Sequence, residues 1–144
     1  MPTWAEFAEA APELASFGAE RFRNAQVAYL ATVRKDGAPR VHAVTPILGE
    51  RRLFVFMEST SPKGHGLERD SRYAMHSLVT DQNGTPGEFW IMGNAIRAAD
   101  PGARAIAVAA TPYDPADFYI LFKLNLEQAA SALYQDGQPA RRRW

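Results

Sequence analysis

The sequence predicts a mainly β protein, an antiparallel barrel of six strands behind an N-terminal helical segment. Three observations carry that prediction. Six runs rich in branched and aromatic residues recur along the chain, each bounded by turn formers. The first three runs are joined by turns too short for a crossover helix, which excludes parallel pairing between them. Helical spacing is confined to short segments at the N-terminus and between strands.

The elements follow in chain order. Thr3 and Glu6 fit a capping box, and Pro12 suits the first turn of a second helical segment. Phe7, Leu14, Phe17 and Phe22 fall near one helix face, so residues 3–24 read as one broken helix or two short ones packed on a core. "VAYLATVR" is the first strand and "KDG" its hairpin turn. "APRVHAVTPIL" is the return strand, "GERR" the next turn and "LFVFME" the third strand. A short helix over 62–69 follows, opened by Pro62. "YAMHSLVT" is the fourth strand and "DQNGTPG" a loop of turn formers. "EFWIMGNAIRAA" is the fifth strand, with Gly93 marking a bulge or a close backbone approach. Asp100 and Pro101 open a helix, and "DFYILFKLNLEQAA" is the sixth strand. The chain then divides into a helical segment (1–24), a barrel (25–126) and a tail (127–144), all within one domain. The tail, ending "ARRRW", reads as a solvated end in preference to a cap over a partner's ring.

Composition narrows the function classes. The 144 residues are 47% apolar, enough for one core but not two. Lys plus Arg and Asp plus Glu are both 16, so no global field steers the chain toward nucleic acid or an anionic membrane. There is no cysteine, hence no disulfide framework and no thiolate metal site. The first residues carry glutamates and no basic stretch ahead of an apolar run, and no apolar run approaches about 18 residues. A soluble cytoplasmic protein is expected. His42, His65 and His76 lack the spacing of helical metal ligands, so no metal site is expected. Neither a nucleophile elbow nor a Walker loop is present.

Two stretches carry candidate chemistry. In "STSPKGHGLERD", residues 59–70, Ser61 is the expected N-cap. A helix start leaves about four amide N–H groups unpaired, and Lys63 with three hydroxyls lies within one turn of them. Gly64 and Gly66 are weak helix formers whose missing side chains leave space. The stretch is either a plain capped helix or a phosphate seat. In "PRVHAVTP", alternation puts Arg40, His42 and Val44 on one strand face and Val41, Ala43 and Thr45 on the other. The polar face meets either solvent or a ligand, and an arginine on a rigid strand suits phosphate.

The order "VAYLATVRKDGAPRVHAVTPIL" followed by "RLFVFMESTSPKGHGLERDSRYAMH" resembles the pyridoxamine-phosphate-oxidase-like flavoproteins, over about residues 25–125. That resemblance implies a six-stranded split barrel, a homodimer, and FMN in a groove between subunits, or a deazaflavin in related branches. It implies that Arg40 meets the cofactor phosphate and that Ser61, Lys63 and Gly64 form the phosphate loop. Val41, His42, Ala43 and Val44 would pass along the flavin, and the backbone of the strand end at Phe56 and Met57 would line the phosphate or ribityl chain. His42 becomes the candidate group near the ring. The chain departs from the true oxidases at its end: "QPARRRW" lacks the arginine- and histidine-rich signature that grips pyridoxal substrates, so another small-molecule substrate is implied. Pro62 stands where many members carry a basic residue. A carrier or sensor holding a flavin or a tetrapyrrole without turnover is the alternative from a different class.

Overall fold

A computed structural model describes all residues, 1–144. Two helices open the chain, α1 (Trp4–Ala10) and α2 (Pro12–Ala25). The Thr3–Glu6 capping box forms in full: the Thr3 backbone N–H donates to Glu6 Oε2 at 2.7 Å, and the Glu6 N–H donates to Thr3 Oγ1 at 3.3 Å. The break falls at Ala11, with Pro12 starting the second helix as expected.

Eight strands make one antiparallel sheet: β1 (Ala28–Val33), β2 (Pro39–Val44), β3 (Ile47–Gly49), β4 (Arg52–Met57), β5 (Arg72–Ser77), β6 (Glu88–Arg97), β7 (Ile120–Gln135) and β8 (Gln138–Arg143). Between them lie α3 (Pro62–Arg69) and α4 (Pro101–Ala110). The lateral order is β2-β1-β5-β6-β7-β4-β3, with β8 also paired to β7.

Two strands exceed the six expected. The return strand is two, because Pro46 has no amide hydrogen to give the ladder and the chain leaves β2 there. After Pro46 it pairs with a different neighbour, Ile47 opposite Phe54 of β4. This split leaves β2 and β3 at the two ends of the sheet order, consecutive in sequence yet unpaired with each other.

The tail is the larger correction. It is not a solvated end: β8 pairs with the far half of β7, and Trp144 exchanges two backbone hydrogen bonds with Ala129, at 2.8 and 3.0 Å. The Trp144 ring lies 4.9 Å from Phe7. Left-handed Asp136 and Gly137 make the turn that returns the chain.

The main core fills the barrel, with Leu30, Leu53, Met75, Ile91 and Leu126 fully buried. The N-terminal helices close one side of it. Trp4, Phe7 and Phe22 meet Phe89 of β6 at ring separations of 5.3–6.4 Å. A smaller core joins α4 to β3 and β4 through Ala103, Ala107, Ile47 and Phe54. Gly93 sits at the expected bulge. Register shifts between Met92 and Gly93, so that Glu127 of β7 is the extra residue, and any Cβ at 93 would collide with the Asn125 carbonyl.

Candidate functional site

The expected phosphate stretch forms a capped helix start. Ser61 is the N-cap of α3, its Oγ accepting from the Gly64 N–H at 3.2 Å. The Ser61 N–H donates to the Glu58 carbonyl at 3.0 Å, which folds the segment after β4 back on itself. The absent side chain at Gly64 serves this packing. A Cβ there would lie 3.2 Å from the Glu58 carbonyl and 3.4 Å from Ser61 Oγ.

On β2 the faces are the reverse of a simple polar-out strand. Val41 is 65% exposed, whereas Arg40 and His42 are half-buried. Arg40 stands opposite Thr32 and His42 opposite Leu30 on β1, both buried, and directly opposed residues share a face. The exposed side of the strand is thus its apolar one.

His42 is the candidate residue on which the charges of the other two act. Burial pushes its pKa down, and the charges of Lys63 and Arg40 push it further. Its Nε2 is buried and has no hydrogen-bond partner. Arg40 and Lys63 both act on it by charge, but they line separate grooves that share no residue, and His42 lines neither. Lys63 and Ser61 line one, with Ala43, Val44 and Phe56. Arg40 and Pro62 line the other, with Arg34, Lys35 and Arg69. Neither Arg40 nor Lys63 makes an ion pair or a side-chain hydrogen bond. The carboxylates at hand are Glu58 in the first groove and Asp36 in the second, the latter paired with Arg34 at 3.6 Å.

Tyr113 and Tyr119, in the segment after α4, complete the lining of the Lys63 groove. Arg104 lies 5.2 Å over the Phe56 ring and donates to the Tyr119 carbonyl at 2.8 Å and the Ala116 carbonyl at 3.1 Å. That anchors the segment carrying Tyr113, whose ring meets Phe56 edge-on at 6.5 Å. The Met57 side chain is 1% exposed and packs in the main core, and the Phe56 side chain packs in the smaller one.

Sequence reasoning missed a third groove, of about 450 Å³, on the outer face of the sheet. Tyr29, Val41, His76, Glu88 and Trp90 line it, with Arg141 of β8 at its rim. The signal was present in alternation: in "YAMHS" and "EFW" the buried residues are Tyr73, Met75, Ser77 and Phe89, which leaves His76, Glu88 and Trp90 pointing the other way. Val41 and Ala43, neighbours on one face of β2, join this groove to the one at Lys63. Among His, Asp and Glu, no three side chains cluster closely enough to share a metal ion.

No family model and no curated protein matches the chain. Solved structures do. One is a protein of Clostridium acetobutylicum related to general stress protein 26 of B. subtilis, described as of the pyridoxinephosphate oxidase family. It is 9% identical, with 88% of this chain and 92% of that one covered at a TM-score of 0.64.

The fold is that of the pyridoxamine-phosphate-oxidase-like split barrels.

Other split barrels match as well. A NimC/NimA family protein of C. acetobutylicum is 15% identical, with 90% and 91% of the chains covered at a TM-score of 0.67. A heme-binding protein of Mycobacterium smegmatis is 20% identical at a TM-score of 0.66, with 86% of this chain covered; the match spans 57% of that longer protein. No helix of this split barrel is long and apolar enough to cross a membrane.

Proposed function

We propose that the chain is an FMN-binding oxidoreductase working as a homodimer on a small molecule other than pyridoxamine phosphate. The observation that carries this reading is the set of unpaired cations around His42. Arg40 and Lys63 flank a buried imidazole nitrogen without a partner, at a helix start whose amides favour an anion. Two unpaired charges held beside a half-buried site are costly unless an anion joins them. A phosphate monoester supplies that anion: Lys63 and Ser61 share a groove that would seat it, and Arg40, in a separate groove, would have to swing toward it. The exposed apolar positions Val41 and Ala43 lead from there to the outer groove, where Tyr29 and Trp90 suit a flat ring.

FMN, once bound, supplies the hydride chemistry. The chain's own residues hold the phosphate through Lys63, Ser61 and Arg40, and β2 carries the ring along its exposed apolar side at Val41 and Ala43. A deazaflavin with a phosphate at the same place is held by the same residues. The reading is tested by titrating FMN and riboflavin against Arg40→Ala and Lys63→Ala. Each change weakens FMN by about 1–3 kcal/mol, the cost of a charge-assisted contact, and leaves riboflavin nearly untouched. Equal losses for both ligands would refute the phosphate assignment.

A tetrapyrrole carrier is the second reading. His76 in an apolar groove with Arg141 at the rim favours it, since an imidazole can ligate iron and an arginine can meet a propionate. The absorption spectrum of the purified protein separates the two, a flavin band against a Soret band.

A further inference from the structure

The outer groove holds a polar pair that the phosphate reading does not use. His76 and Trp90 are cross-strand partners whose rings lie parallel, 3° apart in plane and 5.9 Å between centroids. His76 Nδ1 is 2.6 Å from the Ser77 carbonyl oxygen. A carbonyl only accepts, so Nδ1 carries the hydrogen. The tautomer is thereby fixed, and Nε2 faces Glu88 Oε1 at 3.4 Å. Both side chains are partly exposed to the groove, His76 at 40% and Glu88 at 29%.

We infer that this groove binds a flat heteroaromatic ring whose N–H edge donates to Glu88, and that His76 competes with the ring for that carboxylate. When the imidazole is protonated, Nδ1–H stays on Ser77 and Nε2–H donates to Glu88, which occupies the acceptor. When the imidazole is neutral, Nε2 presents a lone pair to the carboxylate. Two acceptors then face each other, and Glu88 is released to a donor from outside. The aromatic walls give the ring its stacking surface, and the carboxylate gives it a direction. A ring rich in acceptors alone would meet Glu88 with repulsion, so the groove selects for an N–H edge.

The other groups facing the pair are Tyr29 from β1, Tyr134 from β7 and Arg141 from β8. The flavin ring of the proposed function belongs to this class of ligand, and so does a separate aromatic substrate. The inference extends that reading but does not need the phosphate seat.

Lumichrome, the flavin's tricyclic ring without its side chain, is the probe. Its fluorescence titration against the whole chain should give binding about tenfold tighter at about pH 7.5 than at about pH 5.5. The two polar variants should move in opposite directions. His76→Leu removes the competitor and holds binding at its high-pH level throughout. Glu88→Gln removes the anionic acceptor and holds it at the low-pH level. Trp90→Leu weakens binding about tenfold at every pH. Thermal melts of each variant separate a lost site from a lost fold. Competition by FMN identifies the ring as the cofactor's, whereas simultaneous binding identifies it as a substrate's. Absence of lumichrome binding, or binding indifferent to pH and to all three changes in folded variants, overturns the inference. Because lumichrome has no phosphate, that failure is independent of the Arg40 and Lys63 experiment.

Discussion

His42 is the residue at which structure and proposed chemistry are most tightly tied. Burial, then Lys63, then Arg40 lower its pKa. The unfolded chain takes up a proton near the ordinary histidine value of about 6.5, and the folded chain refuses it until a lower pH. Stability therefore falls as pH drops below about 6.5, and the loss levels off once the folded group also protonates. Denaturant melts across this window, compared with His42→Gln, should show a slope that the variant lacks. An anion seated between Lys63 and Arg40 reverses the local field. Added FMN should thus move the NMR titration of the His42 ring upward, and a titration unmoved by saturating FMN would separate His42 from the phosphate. Gly93 is the second informative residue. With Asn125's carbonyl where a Cβ would go, Gly93→Ala must displace backbone across the β6–β7 bulge. A loss of about 3 kcal/mol or failure to fold is expected, and a urea midpoint within experimental error of the parent would contradict the bulge geometry.

At the scale of elements, what was legible and what was not have physical reasons. Strands with strict alternation and hairpin turns were readable because one face is buried and the turn residues are special; "KDG" and the capping box at Thr3 are examples. The division of the return strand was harder. Pro46 states that the ladder ends, but not that Ile47 will find β4 instead of β1. The tail escaped because its local signal is poor. "QPARRR" is polar, and β8 is exposed at every residue, so no hydrophobic pattern announces a strand. Its place is set by the turn at Asp136–Gly137 and by one distant anchor, Trp144 on Phe7. The same limit hid the outer groove. Tyr29, His76 and Glu88 come from three strands, and only sheet order makes them neighbours. If Trp144 is the anchor, Trp144→Ala should cost about 2 kcal/mol, below the usual figure for a fully buried tryptophan because this one is half-buried. It should also raise amide exchange along β8 while leaving the β1–β2 hairpin protected. Uniform loss of protection would mean that the tail is not a separate unit.

The whole molecule poses a question of exposed surface. A chain with zero net charge places Val41, Tyr134 and Tyr29 on the outer side of its sheet at 65%, 49% and 43% exposure. Contiguous apolar surface of this kind is a partner site when it exceeds a few hundred Å², and a neutral chain opposes self-association weakly. A second copy covering this face would also close the groove at Trp90, turning an open shelf into a slot around a flat ring. Such a dimer would couple assembly to ligand. Sedimentation should give twice the chain mass, with little dependence on salt because the face is apolar. Val41→Glu sets a charge at the most exposed apolar point of the face, where burial without a partner is costly. The variant should sediment as a monomer and bind FMN at least tenfold more weakly, since the ring loses its cover while Lys63 and Arg40 keep the phosphate. Riboflavin, which shares the ring contact, should lose by a similar factor. A Val41→Glu protein that stays dimeric with undiminished riboflavin affinity would put the interface, and the covered ring with it, somewhere else on the molecule.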